Sequence, residues 1–163
     1  EFRRVLFRSL HEGQLPLVYN HKPTGRGDDY LNLTGQPLFP FGFGLSYTQF
    51  SYKNLVIAPL TEKYHFRATF TLTNTGTVAG DEVVQLYIRD RLASVARPVM
   101  ELKGFQRLHL DRGESRQIEF IITPEMLQML DVNMDIVIEP GDFSIMIGAS
   151  SKDIRLKETL SIH

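Results

Sequence analysis

The 163-residue chain contains no cysteine. That absence excludes a disulfide framework, a zinc ribbon and a thiol nucleophile, yet leaves the compartment open, because disulfide-free secreted proteins are common. An excess of charge of one sign is also missing: 18 Lys+Arg stand against 19 Asp+Glu, a formal net charge of -1. Without a basic excess there is no electrostatic footprint for nucleic acid. No apolar run approaches the roughly 20 residues that a membrane-spanning helix needs. Neither nucleic acid nor a membrane is therefore expected as a partner. The five histidines (His11, His21, His65, His109 and His163) show no HxH or HExxH spacing, so no metal or cofactor is expected. Ser46, Ser94 and Ser144 lack a GxSxG setting, and Gly42-Phe43-Gly44 has the glycine spacing of a phosphate loop without the following Lys or helix. Asn32-Leu33-Thr34 fits the N-glycosylation pattern, which only a eukaryotic secretory host uses.

What is present is ordinary globular material, 42% hydrophobic and 23% charged, enough for one domain or one domain plus a remnant of another. Residues 1–9 stand apart. Glu1-Phe2-Arg3-Arg4-Val5-Leu6-Phe7-Arg8-Ser9 has three Arg and a single acid, and it matches the translation of a common short-read sequencing adapter. It is read as an assembly artefact and excluded from fold reasoning, as a fusion scar is.

Residues 15–19, Leu-Pro-Leu-Val-Tyr, read as one β-strand without a partner, since the following stretch to residue 44 is rich in Gly, Asn and Pro and reads as a connection. A lone strand cannot satisfy its own backbone, which implies a missing domain upstream. Further on, Tyr64, Phe66, Ala68, Phe70 and Leu72 alternate with polar neighbours over residues 64–73, a period of two. Asn74-Thr75-Gly76-Thr77 reads as a turn, from which residues 82–89 pair back as a hairpin. Residues 100–110 and 115–122 flank Asp111-Arg112-Gly113-Glu114 as a second hairpin, and Thr123-Pro124-Glu125 opens a short helical turn over residues 124–130. Residues 135–138 and 142–147 bracket Glu139-Pro140-Gly141, and residues 154–162 give a last strand. About seven strands without long helices predict an all-β, antiparallel, fibronectin type III-like (immunoglobulin-like) sandwich. Phe66, Phe70, Tyr87, Phe105, Phe120 and Phe143 are the expected aromatic core, with His65 and His109 at exposed strand positions.

Residues 37–48, Pro-Leu-Phe-Pro-Phe-Gly-Phe-Gly-Leu-Ser-Tyr-Thr, resemble the signature that joins the catalytic part of glycoside hydrolase family 3 enzymes to their C-terminal fibronectin type III-like domain. Asn74-Thr75-Gly76, Val83-Val84-Gln85-Leu86-Tyr87-Ile88, Arg97-Pro98, Glu101-Leu102-Lys103-Gly104-Phe105 and Glu139-Pro140-Gly141-Asp142-Phe143 continue the resemblance in the family's order. It implies a C-terminal fragment of a retaining, exo-acting β-glucosidase or β-xylosidase, periplasmic or secreted, that acts on an oligo- or disaccharide. Residues 10–36 would be the end of its second, α/β catalytic domain with the loop leaving it, 37–48 the aromatic linker and 49–163 the fibronectin type III-like domain. The partner is then the missing N-terminal catalytic part of the same polypeptide. Glycosidic hydrolysis needs two carboxyl groups, and neither of the family's catalytic motifs occurs here, so no residue inherits a catalytic role and the fragment is expected to be inactive.

Phe39, Phe41, Phe43 and Tyr47 lie among prolines and glycines as a stiff strap too apolar for water, expected to be packed in an interdomain seam with the three Phe on one side. A sugar-stacking platform is the competing reading. Asp28-Asp29 reads as a solvated turn. Lys22, Arg26, Asp28 and Tyr30, on the loop leaving the catalytic domain, are the groups able to reach a sugar hydroxyl. The rival to the accessory-domain reading is a free-standing fibronectin-like module that binds carbohydrate or protein.

Overall fold

The period-two stretch becomes a strand whose inward residues Ala68, Phe70 and Leu72 lose essentially all contact with water. The computed structural model describes residues 18–23 and 35–163. In chain order the elements are β1 (Phe50–Pro59), β2 (Phe66–Asn74), β3 (Gly80–Asp90), β4 (Glu101–Leu110), β5 (Ser115–Ile122), α1 (Pro124–Leu127), β6 (Met129–Leu130), β7 (Ile136–Val137), β8 (Gly141–Ser150) and β9 (Asp153–Ile162). One sheet runs β1-β2-β5 and the other β4-β3-β8-β9, with all pairings antiparallel. Between them lie Phe70, Leu72, Val84, Leu86, Ile118, Phe120, Phe143, Ile145 and Ile147 in one cluster. The rings of Tyr52 and Phe120 stack on either side of Phe70, at 5.9 and 6.3 Å. This is the expected sandwich, with seven long strands and the short β6–β7 pair beside them.

Pairing departs from the sequence expectation at both presumed hairpins. β2 pairs with β1 and β5, and β3 with β4 and β8, so residues 75–79 carry the chain from one sheet to the other. Likewise β4 and β5 lie in different sheets, and β7 pairs with β6 rather than β8. Turn chemistry reverses the chain in either case and does not say whether the returning strand lies beside its predecessor or across the core. Asn74 is no turn residue: it ends β2 with its side chain completely buried. Tyr64 lies before β2 at φ 60°, and α1 covers only the first part of the helical turn expected over residues 124–130.

β1 escapes a pattern search for a physical reason. Phe50 and Tyr52 point inward, but the register shifts between Lys53 and Val56 beside Asn54 at φ 59°, and this bulge breaks the alternation. Two of the six expected core aromatics do not join the core: Phe105 is 66% exposed, and Tyr87, although buried, faces away from the other sheet. Phe66 is partly buried against the cluster, and Phe70, Phe120 and Phe143 take their expected places. His109 is an exposed β4 residue; His65 lies just before β2 near Glu62. Of the presumed strand over residues 15–19, only Val18 and Tyr19 are described, and Tyr19 occupies a turn.

Candidate docking surface

β3 is buried on both faces over five consecutive residues, Val84 to Ile88. Its inner face is covered by the β1-β2-β5 sheet; its outer face is covered by the chain that precedes β1. Tyr87 meets the edge of the Tyr19 ring at 6.1 Å, and Tyr19 stacks flat on Phe41 at 4.2 Å and 10°. Such ring contacts contribute about 0.5–1.5 kcal/mol each beyond the area they bury. Burial pushes the Tyr87 hydroxyl up in pKa, so it stays a donor, and it donates to Gln85 Oε1 at 2.5 Å. The Gln85 amide donates in turn to the carbonyls of Gly42 (3.1 Å) and Ala149 (2.7 Å). Three further hydrogen bonds, each donated by a backbone N–H, complete the fastening. Ser151 N donates to Phe41 O at 2.9 Å, Leu102 N to the Tyr19 hydroxyl at 3.1 Å, and Val99 N to His21 O at 2.9 Å.

The strap is folded rather than extended. Phe43 N donates to Pro40 O at 3.0 Å, and Gly42, third in this turn, has φ 81°, which a turn of this kind reserves for glycine. A Cβ on Gly42 would lie 2.1 Å from Gln85 Oε1. The turn overturns the expectation that Phe39, Phe41 and Phe43 share one side. Phe41 points at Tyr19, whereas Phe39 and Phe43 fold together at 5.0 Å.

The strap's far end is held by Asn74. Thr48 Oγ1 donates to Asn74 Oδ1 at 2.6 Å, Gly76 N donates to the same oxygen at 3.1 Å, and Asn74 Nδ2 donates to the carbonyls of Val78 (2.8 Å) and Leu110 (3.1 Å). A Cβ on Gly76 would lie 2.1 Å from Thr48 Oγ1, so glycine permits the approach. Between the two fastenings the strap offers Leu45 and Tyr47 to solvent, 91% and 102% exposed. Beneath it runs a groove of about 900 Å³, lined by Phe43, Val83 and Phe105 together with Glu82, Asp153 and Arg155. Burial raises the Glu82 pKa, while Arg155 holds Asp153 through both carboxylate oxygens.

Lys22 is exposed and lines a second depression of about 660 Å³ with Arg97, Glu101, Lys103 and the β6–β7 pair. Arg26, Asp28, Tyr30 and the Asp28-Asp29 pair lie outside the described residues. Among the described residues no group of three His, Asp or Glu side chains is placed to hold a metal ion, and no helix is long and apolar enough to cross a membrane. Sequence reasoning gave Tyr19, Gln85, Tyr87, Thr48 and Asn74 no part in fastening the strap. The signal for Gln85 and Tyr87 was the apolar run Val83-Val84-Gln85-Leu86-Tyr87-Ile88, which fits a strand covered on both faces.

A family model for the fibronectin type III-like domain matches residues 82–151. Over 145 residues the chain is 42% identical to a putative β-xylosidase of Formosa agariphila, covering 88% of this chain and 19% of that protein. It is 36% identical over 155 residues to the periplasmic β-glucosidase of Salmonella typhimurium, covering 88% and 20%. Among solved structures, a β-glucosidase of intestinal bacteria involved in saponin metabolism superposes with a TM-score of 0.88 at 38% identity, over 95% of this chain and 21% of that one. The chain thus spans about a fifth of the length of the relatives it matches. By sequence and fold, the chain matches the fibronectin type III-like part of β-glucosidases and β-xylosidases, among them a glycoside hydrolase family 3 β-glucosidase of Bifidobacterium adolescentis.

Proposed function

We propose that this chain is the accessory, structure-stabilising C-terminal domain of an exo-acting β-glycosidase of the β-glucosidase or β-xylosidase type, in the periplasm or outside the cell. The observation that carries the reading is the two-sided strap. Tyr19, Phe41, Gly42 and Thr48 bind it to the sandwich, while Leu45 and Tyr47 are left in water. Large apolar side chains on a fixed backbone are suited to burial against another body, at about 25 cal/mol per Å². That body is the catalytic part of the same polypeptide, which carries both catalytic carboxyl groups and takes the oligo- or disaccharide substrate. Phe39, Phe41, Phe43 and Tyr47 form the seam, residues 10–36 end the preceding α/β domain, and the 163-residue chain alone is inactive. Lys22, Arg26, Asp28 and Tyr30 border the substrate, so Arg26→Ala in the complete enzyme raises KM.

The test is hydrolysis of aryl β-glucosides and β-xylosides by the complete gene product and by the 163-residue chain. Activity in the first alone supports the reading; sugar release by the chain itself overturns it. The free-standing module draws support from the aromatic lining of the groove, and retention of the isolated chain on a β-glucan column is the result that selects it.

A further inference from the structure

The β6–β7 hairpin is built to be stiff and is left uncovered. Its inner pair, Met129 and Val137, closes onto the domain, with Met129 buried. Its outer pair, Leu130 and Ile136, faces away at 46% and 68% exposure, and Val132 and Met134 at the tip are 78% and 71% exposed. The tip does not owe this exposure to looseness. Asp131 Oδ1 accepts from the backbone N–H groups of Asn133 (2.8 Å) and Asp135 (3.0 Å), Asp131 N donates to Asp135 O at 3.0 Å, and Met134 N donates to Asp131 O at 3.1 Å. Met134 is held at φ 67°, a left-handed conformation that disfavours a residue with a side chain. Four large hydrophobes on a fixed and strained tip suit a contact surface.

The path of the chain says what covers it. The depression between this hairpin and the segment before β4 is lined by Leu130, Ile136, Val95 and Arg97, and also by Lys22. The segment of residues 18–23 is fastened there through Val99 N and His21 O. The described segment thus touches both places, Lys22 in the depression beside the hairpin and Tyr19 on Phe41 over the outer face of β3, while the strap ends at Thr48 beside Asn74. About four fifths of the length of the relatives lies outside the matched region, ample to seat on both places.

We infer that the outer face of the hairpin, Leu130, Val132, Met134 and Ile136, is a second docking seat, separate from the strap, occupied by the domain that precedes Val18 in the same polypeptide. The inference rests on the accessory-domain reading and adds to it a second contact on the hairpin side. With both seats filled, the sandwich resists rocking about the strap.

The experiment uses the full-length polypeptide with a benzophenone amino acid at Val132, and in a parallel sample at Tyr47, irradiated and mapped by mass spectrometry. The expected result is a cross-link from position 132 to residues N-terminal to Val18 of the same molecule, with no dimer band, its yield falling several-fold on adding Met134→Asp. Cross-links between two copies, or none from position 132 while position 47 cross-links upstream, overturn the second seat and leave the accessory-domain reading standing. A full-length protein without an upstream catalytic domain removes both. Because the probed side chains are exposed, the substitutions leave the sandwich folded, which far-UV circular dichroism checks.

Discussion

Thr48 and Asn74, 26 residues apart, share a hydrogen bond of 2.6 Å that ties the end of the strap to the end of β2. Asn74 is completely buried and uses its amide on four partners, from the strap, residues 76 and 78, and β4. It thereby links the two sheets and the leader in one contact. The crossing between sheets is determined here, at a residue that looks like turn material.

Asn74→Ala leaves the Val78 and Leu110 carbonyls and the Thr48 hydroxyl without this partner in a dry site. Unsatisfied buried groups cost about 1–3 kcal/mol, and the expected loss of stability is about 3 kcal/mol. Urea unfolding of the 163-residue chain followed by circular dichroism measures it; a loss below about 1 kcal/mol would show that the hub is dispensable.

Gly42→Ala places a methyl group 2.1 Å from Gln85 Oε1 on a backbone at φ 81°. Left-handed backbone costs a residue with Cβ about 1–2 kcal/mol, before any displacement of Gln85. The expected destabilisation is about 2–3 kcal/mol. Gly44→Ala, where nothing lies within 4 Å of the added atom, serves as the control and stays within about 0.5 kcal/mol of the parent. Equal effects at the two positions would refute the assignment.

Gln85→Leu removes the donor to Gly42 O and Ala149 O and the acceptor of the Tyr87 hydroxyl. The strap then lifts. Chymotrypsin cleavage next to Phe41 and Phe43 should accelerate at least tenfold, while Tyr87→Phe, which loses a single bond, should change it about threefold or less.

Period-two alternation made β2, and with it Ala68, Phe70 and Leu72, legible in the sequence because one side of that strand faces the core and the other water. The aromatic strap was legible as a strap because Phe residues among Pro and Gly fit neither a strand nor a solvated loop. Its geometry was not, because the turn at Gly42 depends on Gln85, 43 residues away. Phe105 misled for a related reason. Phe105 pairs with Gln85, whose side chain lies on the outer face, and faces outward with it; the register shift comes only beyond, where Leu86 and Tyr87 pair with Gly104 and Leu102. Gly104 meanwhile takes the inner position beneath Phe120. Docking onto a second body is legible only as exposed apolar side chains, since the body itself lies outside the chain.

Glu82 sits at an end of the sandwich near Tyr52 and Arg155, and burial raises its pKa above the ordinary carboxylate value of 4.5. A raised acid binds more protons folded than unfolded, so its ionisation lowers stability as pH climbs from the ordinary value through the folded one. Glu82→Gln removes that penalty. The variant should gain on the parent in melting temperature at pH 7 and show no gain at pH 4; a gain independent of pH would rule out the titration of Glu82 as its source.

Because Tyr19, Phe41 and Gly42 roof the outer face of β3, a gene trimmed to begin at β1 would encode a sheet with Gln85 and Tyr87 stripped bare. The proper place to cut for expression is therefore upstream of Val18. A shorter product is expected to aggregate through the uncovered face, and that failure would say nothing about whether the fold itself is viable.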